Sequence, residues 1–272
     1  MGKTELMQRA NTGDVNAILE LVNLYITEKD WTSAIEWADK AAATGNMNGI
    51  YRAAELHHLR AMSLLRGDAE IYHLMMEDGK ATYQNAGVLI SLLQTKGKNE
   101  NGLDEKSLEM YDQLLTYFRD GLYCEACAYY SDEKLVDKSS DPLANCKRAF
   151  SLLKDVKTTR ECALCGLCCF FAYNRFGDVV DRDAESKKRF EIVFKDEKYK
   201  YAEKTKFEER VLDNAASFYA LMLNAEAKYD KAVSVLQYAV AAIKKIAPTC
   251  EYTLKTDYKR TIFGEWKFVG KR

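Results

Sequence analysis

The chain carries an internal repeat near its N-terminus, and a repeat constrains a fold more strongly than any single motif. Residues 13–18 read Gly-Asp-Val-Asn-Ala-Ile, and 32 positions later residues 45–50 read Gly-Asn-Met-Asn-Gly-Ile. Glycine, a polar residue, an apolar residue, asparagine, a small residue and isoleucine thus recur in the same order. A period of about 20–50 residues indicates stacked units, because one such unit cannot bury its apolar face alone.

Each unit is expected to be two helices joined by a short turn. Behind Gly13, one helical face is marked by apolar residues at the i, i+3, i+4, i+7 spacing, namely Ile18, Leu21, Val22 and Tyr25. Residues 27–30 break the pattern, and Asp30 is suited to cap the N-terminus of the next helix. That helix carries a stripe rich in small residues, namely Ala34, Ile35, Ala38, Ala41 and Ala42.

These positions resemble a tetratricopeptide repeat (TPR), or its Sel1-like relative, over residues 15–48. The family pattern of the first helix falls on Ile18, Leu21, Val22 and Tyr25, and that of the second helix on Ala34, Ala38 and Ala41. Val22 and Ala38 depart from the usual residue types, and the run Ala42, Ala43, Gly45, Asn46 is more Sel1-like. The resemblance implies an all-α fold, a right-handed α-solenoid of antiparallel helix pairs, and a role in protein binding.

The resemblance weakens along the chain and returns at residues 229–240. Helical stretches are predicted at about 72–95, 121–130 and 158–174, each followed by a further stripe. The first of these stripes comprises Leu108, Tyr111, Leu115 and Phe118, and the later ones lie at 150–156 and 190–194. We therefore predict a single helical-repeat domain over residues 1–272. Its clear repeats are at about 13–66 and 213–247, its divergent middle at 67–212, and its C-terminal cap, with Ile262, Phe263, Trp266 and Phe268, at 249–272.

Composition narrows the classes of partner. Forty basic and 41 acidic residues give a net charge of −1, which argues against broad nucleic-acid binding. No apolar run of about 18 residues predicts a membrane span, and no secretion signal is found at the N-terminus. Asp141 before Pro142 predicts a helix start, and Pro248 predicts a helix end. We expect a cytoplasmic protein.

The cysteines support two interpretations. The eight are Cys124, Cys127, Cys146, Cys162, Cys165, Cys168, Cys169 and Cys250. Their context is apolar and helical, so we favour packing between helices, where free cysteine acts as a small hydrophobe. The alternative function is a metal- or redox-responsive protein that uses Cys124, Cys127, Cys162 and Cys165. No positive residue lies within 162–169 to stabilise a thiolate.

No motif indicates catalysis. The chain lacks a paired-histidine zinc motif, a Gly-x-Ser-x-Gly elbow and a Gly-x-Gly-x-x-Gly loop. His57 occupies the position of Tyr25 in the next repeat, so we expect it to face the core. We predict that the protein is not an enzyme and needs no cofactor.

A binding site is expected on the concave side of the array, where the first helices of the pairs lie. The candidate residues off the core stripe are Asn16, Glu20, Asn23, Asn48, Tyr51, Arg52, Glu55 and His58. Asparagine can bond a peptide backbone through both its donor and its acceptor, and Tyr and Arg are common anchors at interfaces. The expected function is that of a non-catalytic scaffold or adaptor that binds a protein or peptide partner. A third possibility is that the array pairs with itself as a homodimer.

Overall fold

The computed structural model describes residues 2–67, 72–100, 102–131, 141–174, 177–178, 182–242, 258–260 and 266–268. The helices of the first half are α1 (Lys3–Asn11), α2 (Val15–Thr27), α3 (Trp31–Ala43), α4 (Met47–Arg66), α5 (Tyr72–Asn99) and α6 (Glu105–Ser131). Those of the second half are α7 (Pro142–Leu153), α8 (Thr159–Asn174), α9 (Asp183–Val193), α10 (Glu197–Tyr201), α11 (Lys206–Ala225) and α12 (Tyr229–Ala242). Two short strands follow, β1 (Tyr258–Arg260) and β2 (Trp266–Phe268).

Consecutive helices pack against each other in both halves of the chain. The chain divides into two compact units, Met1–Ala128 and Tyr129–Arg272. In the first unit, α1 packs on α2, α2 on α3, α3 on α4 and α4 on α5. In the second, α7 packs on α8, α8 on α9 and α11 on α12, and α8 also contacts α11. The expected helix pairing is therefore present, whereas the superhelical array remains a prediction.

The repeat reappears in the backbone geometry of the turns. Gly13 and Gly45 lie 32 positions apart and both have a positive φ, at 88° and 75°. Glycine suits this conformation because it has no Cβ to clash. The next residue caps the following helix in each case: Asp14 accepts from two backbone N–H groups and Asn46 from one. Asp30 caps α3 through the N–H of Ser33, as the sequence predicts.

The first and last helix pairs also share one type of turn. Lys29, between α2 and α3, and Ala227, between α11 and α12, have φ of 60° and 59°. The residue after Lys29 donates its N–H to the carbonyl of Tyr25, and the residue after Ala227 donates to that of Leu223, both at 2.9 Å. These six-to-one bonds satisfy helix-end carbonyls that would otherwise lack partners. Residues 229–240 lie in α12, which packs on α11, whereas their likeness to a second helix of the repeat family stays a prediction.

The core of the first unit contains both predicted stripes. The buried residues include Ile18, Leu21, Val22 and Tyr25 of α2 and Ala34, Ile35, Ala38 and Ala41 of α3, while Ala42 is half-buried. Helix α1, which the repeat pattern does not predict, adds Leu6 and Ala10 to this cluster. Ala53 and Leu56 of α4 join the same cluster, whereas Ile50 and Ala54 pack with α5 and α6.

Helix α6 buries only part of the apolar stripe that the sequence predicts around residue 111. The segment is one continuous helix, Glu105–Ser131, where the sequence pattern predicts separate helices. Of the expected stripe, Tyr111 and Phe118 are partly buried and pack against the core, whereas Leu108 and Leu115 are 50% and 42% exposed. Leu114, which the stripe does not include, is fully buried. The buried face is set by a close crossing with α5, where a Cβ added to Gly121 would lie 2.7 Å from the carbonyl oxygen of Gly79.

Helix α8 lies at the centre of the second unit. Every residue from 161 to 169 is buried, so the helix is covered on all sides. Gly166 packs against Phe190 of α9, and its carbonyl accepts a 2.8 Å hydrogen bond from the buried hydroxyl of Ser186. The predicted start of α7 is confirmed, since Asp141 accepts from two backbone N–H groups and Pro142 occupies the first turn.

A short antiparallel ladder near the C-terminus departs from the all-α expectation. Tyr258 pairs with Phe268, Lys259 with Lys267 and Arg260 with Trp266. Aromatic residues favour extended backbone, and the repeat pattern does not extend to this segment. Pro248, Cys250, Ile262 and Phe263 lie outside the described residues. Within the described ranges, no helix is both long enough and apolar enough to cross a bilayer.

Candidate functional site

The outer face of α2 carries three of the proposed binding residues. Asn16, Glu20 and Asn23 are all exposed and follow the i, i+4, i+7 spacing of one helix face. The buried stripe that begins at Ile18 lies on a different face of the same helix. Their side chains are therefore displayed to solvent on a helix whose apolar stripe is held in the core.

Helix α4 contributes the other five, and they differ in exposure. Asn48 is exposed, whereas Arg52 and Glu55 are half-buried and form an ion pair one helical turn apart. A half-buried arginine beside a glutamate can exchange that partner for another carboxylate or carbonyl oxygen. We call the eight residues together the α2–α4 face (Asn16, Glu20, Asn23, Asn48, Tyr51, Arg52, Glu55 and His58).

Tyr51 and His58 are turned toward α6. The ring of Tyr117 lies 4.5 Å from that of His58 and 6.2 Å from that of Tyr51. His58 places Nε2 2.9 Å from Oδ2 of Asp120, so this nitrogen donates to the carboxylate. These two members of the face are therefore half-buried edges of an internal contact, not freely exposed side chains.

Tyr117 and Asp120 complete this edge, and the sequence pattern does not single them out. They lie about 60 residues from their α4 partners, and α6 has no clear repeat signature. Burial, followed by the neighbouring Tyr51 and Glu55, raises the pKa of the Tyr117 hydroxyl above its ordinary value. The phenol therefore stays protonated and can donate a hydrogen bond.

On another side of α4, the buried His57 lies in a network of charges that extends from the interior to the surface. Its Nδ1 is 2.6 Å from Oδ1 of Asp78 on α5, and its Nε2 is 3.0 Å from Oδ1 of Asp39 on α3. The guanidinium of Arg60 donates two hydrogen bonds of 2.7 Å to the carboxylate of Asp78. We call these four residues the His57 cluster (Asp39, His57, Arg60 and Asp78). The expectation that His57 faces the core is confirmed, since it is buried.

The protonation of His57 follows from its partners. Carboxylates only accept hydrogen bonds, so both ring nitrogens carry protons and the ring is an imidazolium. Burial alone lowers the pKa of His57, but the hydrogen bonds to Asp39 and Asp78 outweigh it and raise the pKa to about 9. For the acid Asp78, burial by itself raises the pKa, but the hydrogen bonds from His57 and Arg60 outweigh burial and bring the pKa below its usual value. A charged imidazole cannot act as a general base.

The cysteines are buried, as the packing interpretation expects. The seven within the described residues are buried free thiols. Burial raises the pKa of Cys162, and a hydrogen bond with Cys169, followed by burial, raises that of Cys165. Across the described residues, no group of three or more His, Cys, Asp or Glu side chains is arranged to hold a metal ion. The metal alternative with Cys124, Cys127, Cys162 and Cys165 stays a prediction.

The thiol of Cys162 has a positively charged neighbour, Arg189, that lies far outside residues 162–169 in the sequence. This arginine comes from α9, is buried, and places Nη1 3.9 Å from Sγ of Cys162. The same guanidinium donates to the carbonyls of Lys154 and Val156 and to Glu185. Its donors thus serve mainly backbone and carboxylate oxygens, and the thiols stay neutral because burial outweighs its charge.

Comparison of the chain with family models, with curated proteins and with solved structures finds no match.

Proposed function

We propose that this protein is a non-catalytic scaffold that binds a protein or peptide partner through the α2–α4 face. The observation that carries the proposal is the exposure of Asn16, Glu20 and Asn23 in a row on a helix that is fixed by its buried stripe. Amide groups displayed at fixed spacing can bond the backbone of an extended segment without a large ordering cost.

The α4 part of the face supports the same function. Arg52 offers a forked donor that a partner carboxylate or carbonyl can engage in place of Glu55. Tyr51 and His58 are held by α6, so their rotamers are largely fixed before a partner arrives. We therefore assign recognition to rigid display of side chains, with no covalent chemistry and no cofactor.

The same proposal includes the architecture and the location. Sequential helix packing, the 32-residue recurrence of capped turns and the shared turn of the first and last pairs support a TPR-like or Sel1-like helical repeat, an α-solenoid. A cytoplasmic location is proposed because the eight cysteines of the chain suit a reducing compartment.

The test compares three forms of the full chain in a pull-down from native lysate with quantitative mass spectrometry. The forms are wild type, Asn23→Ala/Arg52→Ala, and the matched control Asn99→Ala/Arg66→Ala, whose residues are exposed at the ends of α5 and α4. Partners recovered by wild type and control but reduced at least about tenfold by the face variant support the proposal, as expected for loss of about 1.4 kcal/mol of binding.

Two results would contradict the scaffold assignment. One is equal recovery of every partner by all three forms. The other is recovery of the chain itself alone, with light scattering that shows a dimer abolished by Tyr51→Ala/Arg52→Ala. That second result would assign the face to self-association.

A further inference from the structure

Among the features outside the α2–α4 face, the His57 cluster is the best defined. Its four side chains come from three consecutive helices: Asp39 from α3, His57 and Arg60 from α4, and Asp78 from α5. Asp78 is fully buried, whereas half of the Asp39 side chain is exposed. The cluster therefore runs from the interior of the first unit to its surface.

The cluster connects the two helix pairs of the repeat. Asp39 belongs to the second helix of the first pair, and His57 lies on the first helix of the next. The Asp39–His57 and His57–Asp78 contacts each need one proton on the ring. If the ring were neutral, one nitrogen would hold a lone pair against a carboxylate, and that contact would become repulsive.

We propose that the His57 cluster is a pH-sensitive switch that holds α3, α4 and α5 in register while His57 is charged and loosens them when the imidazole loses a proton.

The charged groups around the ring favour this behaviour. Asp39 faces it from α3 and Asp78 from α5, while Arg60, on α4 itself, satisfies the other side of Asp78. Glu77 of α5 attracts the positive charge of Arg60. Asp120 of α6 accepts a hydrogen bond from His58, the residue next to His57. Loss of the ring proton leaves two carboxylates balanced by Arg60 alone, and the half-exposed Asp39 is the member that can move away into solvent.

The direction of the pH effect follows from linkage. The pKa of His57 is raised to about 9 in the folded chain, above its ordinary value of 6.5. The stabilisation is therefore complete below about pH 6.5 and is lost progressively up to about pH 9. Between these limits, the equilibrium constant for local opening rises about tenfold per pH unit. This interval includes neutral pH, so the equilibrium for local opening already changes near pH 7 to 8, although the ring of the packed state loses its proton only near pH 9.

The first measurement is a proton–carbon NMR titration of the three histidines in the full-length chain. His57 is expected to titrate near pH 9, and assignment uses the variants His57→Gln and His73→Gln. The second measurement is hydrogen exchange with mass spectrometry from pH 6.5 to 8.5, corrected for the intrinsic pH dependence of exchange. Peptides from α3, α4 and α5 are expected to lose protection by about 40-fold, and α8 peptides to stay constant.

The variants decide between the switch and a general alkaline effect. His57→Gln keeps an amide donor but does not titrate, so its α3–α5 peptides are expected to show no pH dependence. His73→Gln removes an exposed histidine and is expected to match wild type. If His57→Gln does not fold, Asp39→Asn replaces it and is expected to lower the pKa of His57 and flatten the slope. A wild-type His57 that titrates near 6.5, or a slope that persists in His57→Gln or is unaltered in Asp39→Asn, would overturn the proposal.

Discussion

Gly166 of α8 lies directly against the ring of Phe190 of α9: a Cβ added to the glycine would sit 2.6 Å from Cε1 of that ring. Real Cβ atoms essentially never approach a carbon so closely, so an alanine here forces either the Phe190 ring or one of the two helices to move. The contact explains why a helix that is otherwise lined with cysteine and leucine carries a glycine at this position.

We expect Gly166→Ala to destabilise the second unit by about 1–3 kcal/mol, because the fully buried Phe190 ring has little space in which to retreat. Urea unfolding followed by circular dichroism, with hydrogen exchange of α8 and α9 peptides, measures the change. The control is Gly177→Ala, where no atom lies within 4 Å but φ is +68°, so only backbone strain is added. Unchanged protection of α8 in Gly166→Ala would contradict the packing described here.

The buried face of α6 provides a second prediction. Leu114→Ala is expected to cost about 2–5 kcal/mol, because the side chain is fully buried among α4 and α5 residues. Leu108→Ala and Leu115→Ala, at the exposed positions, are expected to change stability by no more than about 0.5 kcal/mol. All three variants replace leucine by alanine, so differences between their urea unfolding midpoints reflect how deeply each leucine is buried. A larger loss from Leu115→Ala than from Leu114→Ala would restore the stripe inferred from sequence.

The N-terminal cap of α3 provides a third prediction. Asp30→Ala removes the acceptor for the N–H of Ser33 and is expected to cost about 1 kcal/mol. Asp30→Asn keeps an oxygen acceptor at the cap, so most of the stability should return. Thermal unfolding of the two variants beside wild type checks this, and equal melting temperatures for all three would show that the cap contributes nothing.

The reactivity of the buried thiols provides a fourth prediction. Cys162, Cys165 and Cys168 are buried and their pKa values are raised, so they should react with a thiol reagent about 100-fold more slowly in the native chain than in urea. Timed alkylation with peptide mapping measures each site separately. Rapid native labelling of Cys162 would indicate a thiolate stabilised by Arg189 and would favour the redox hypothesis.

The residue types along the chain are enough to specify the local features of the first helix pair. The cap at Asp30 and the buried stripe from Ile18 to Tyr25 are as predicted, and the recurring glycines Gly13 and Gly45 lie in turns just before the caps Asp14 and Asn46. These features depend on interactions within about five residues or on helical periodicity, so the pattern of residue types specifies them without knowledge of neighbouring helices.

Which residues each helix turns toward its neighbours depends on the packing of the helices against one another. The apolar residues of α6 allow more than one stripe, and the crossing of Gly79 with Gly121 selects the one that contains Leu114. His57 gains its charge from carboxylates 18 and 21 positions away, and Cys162 meets Arg189 across 27 positions. Such pairs form because two helices become neighbours, and which helices do so depends on the packing of the whole unit and not on any local pattern of residues.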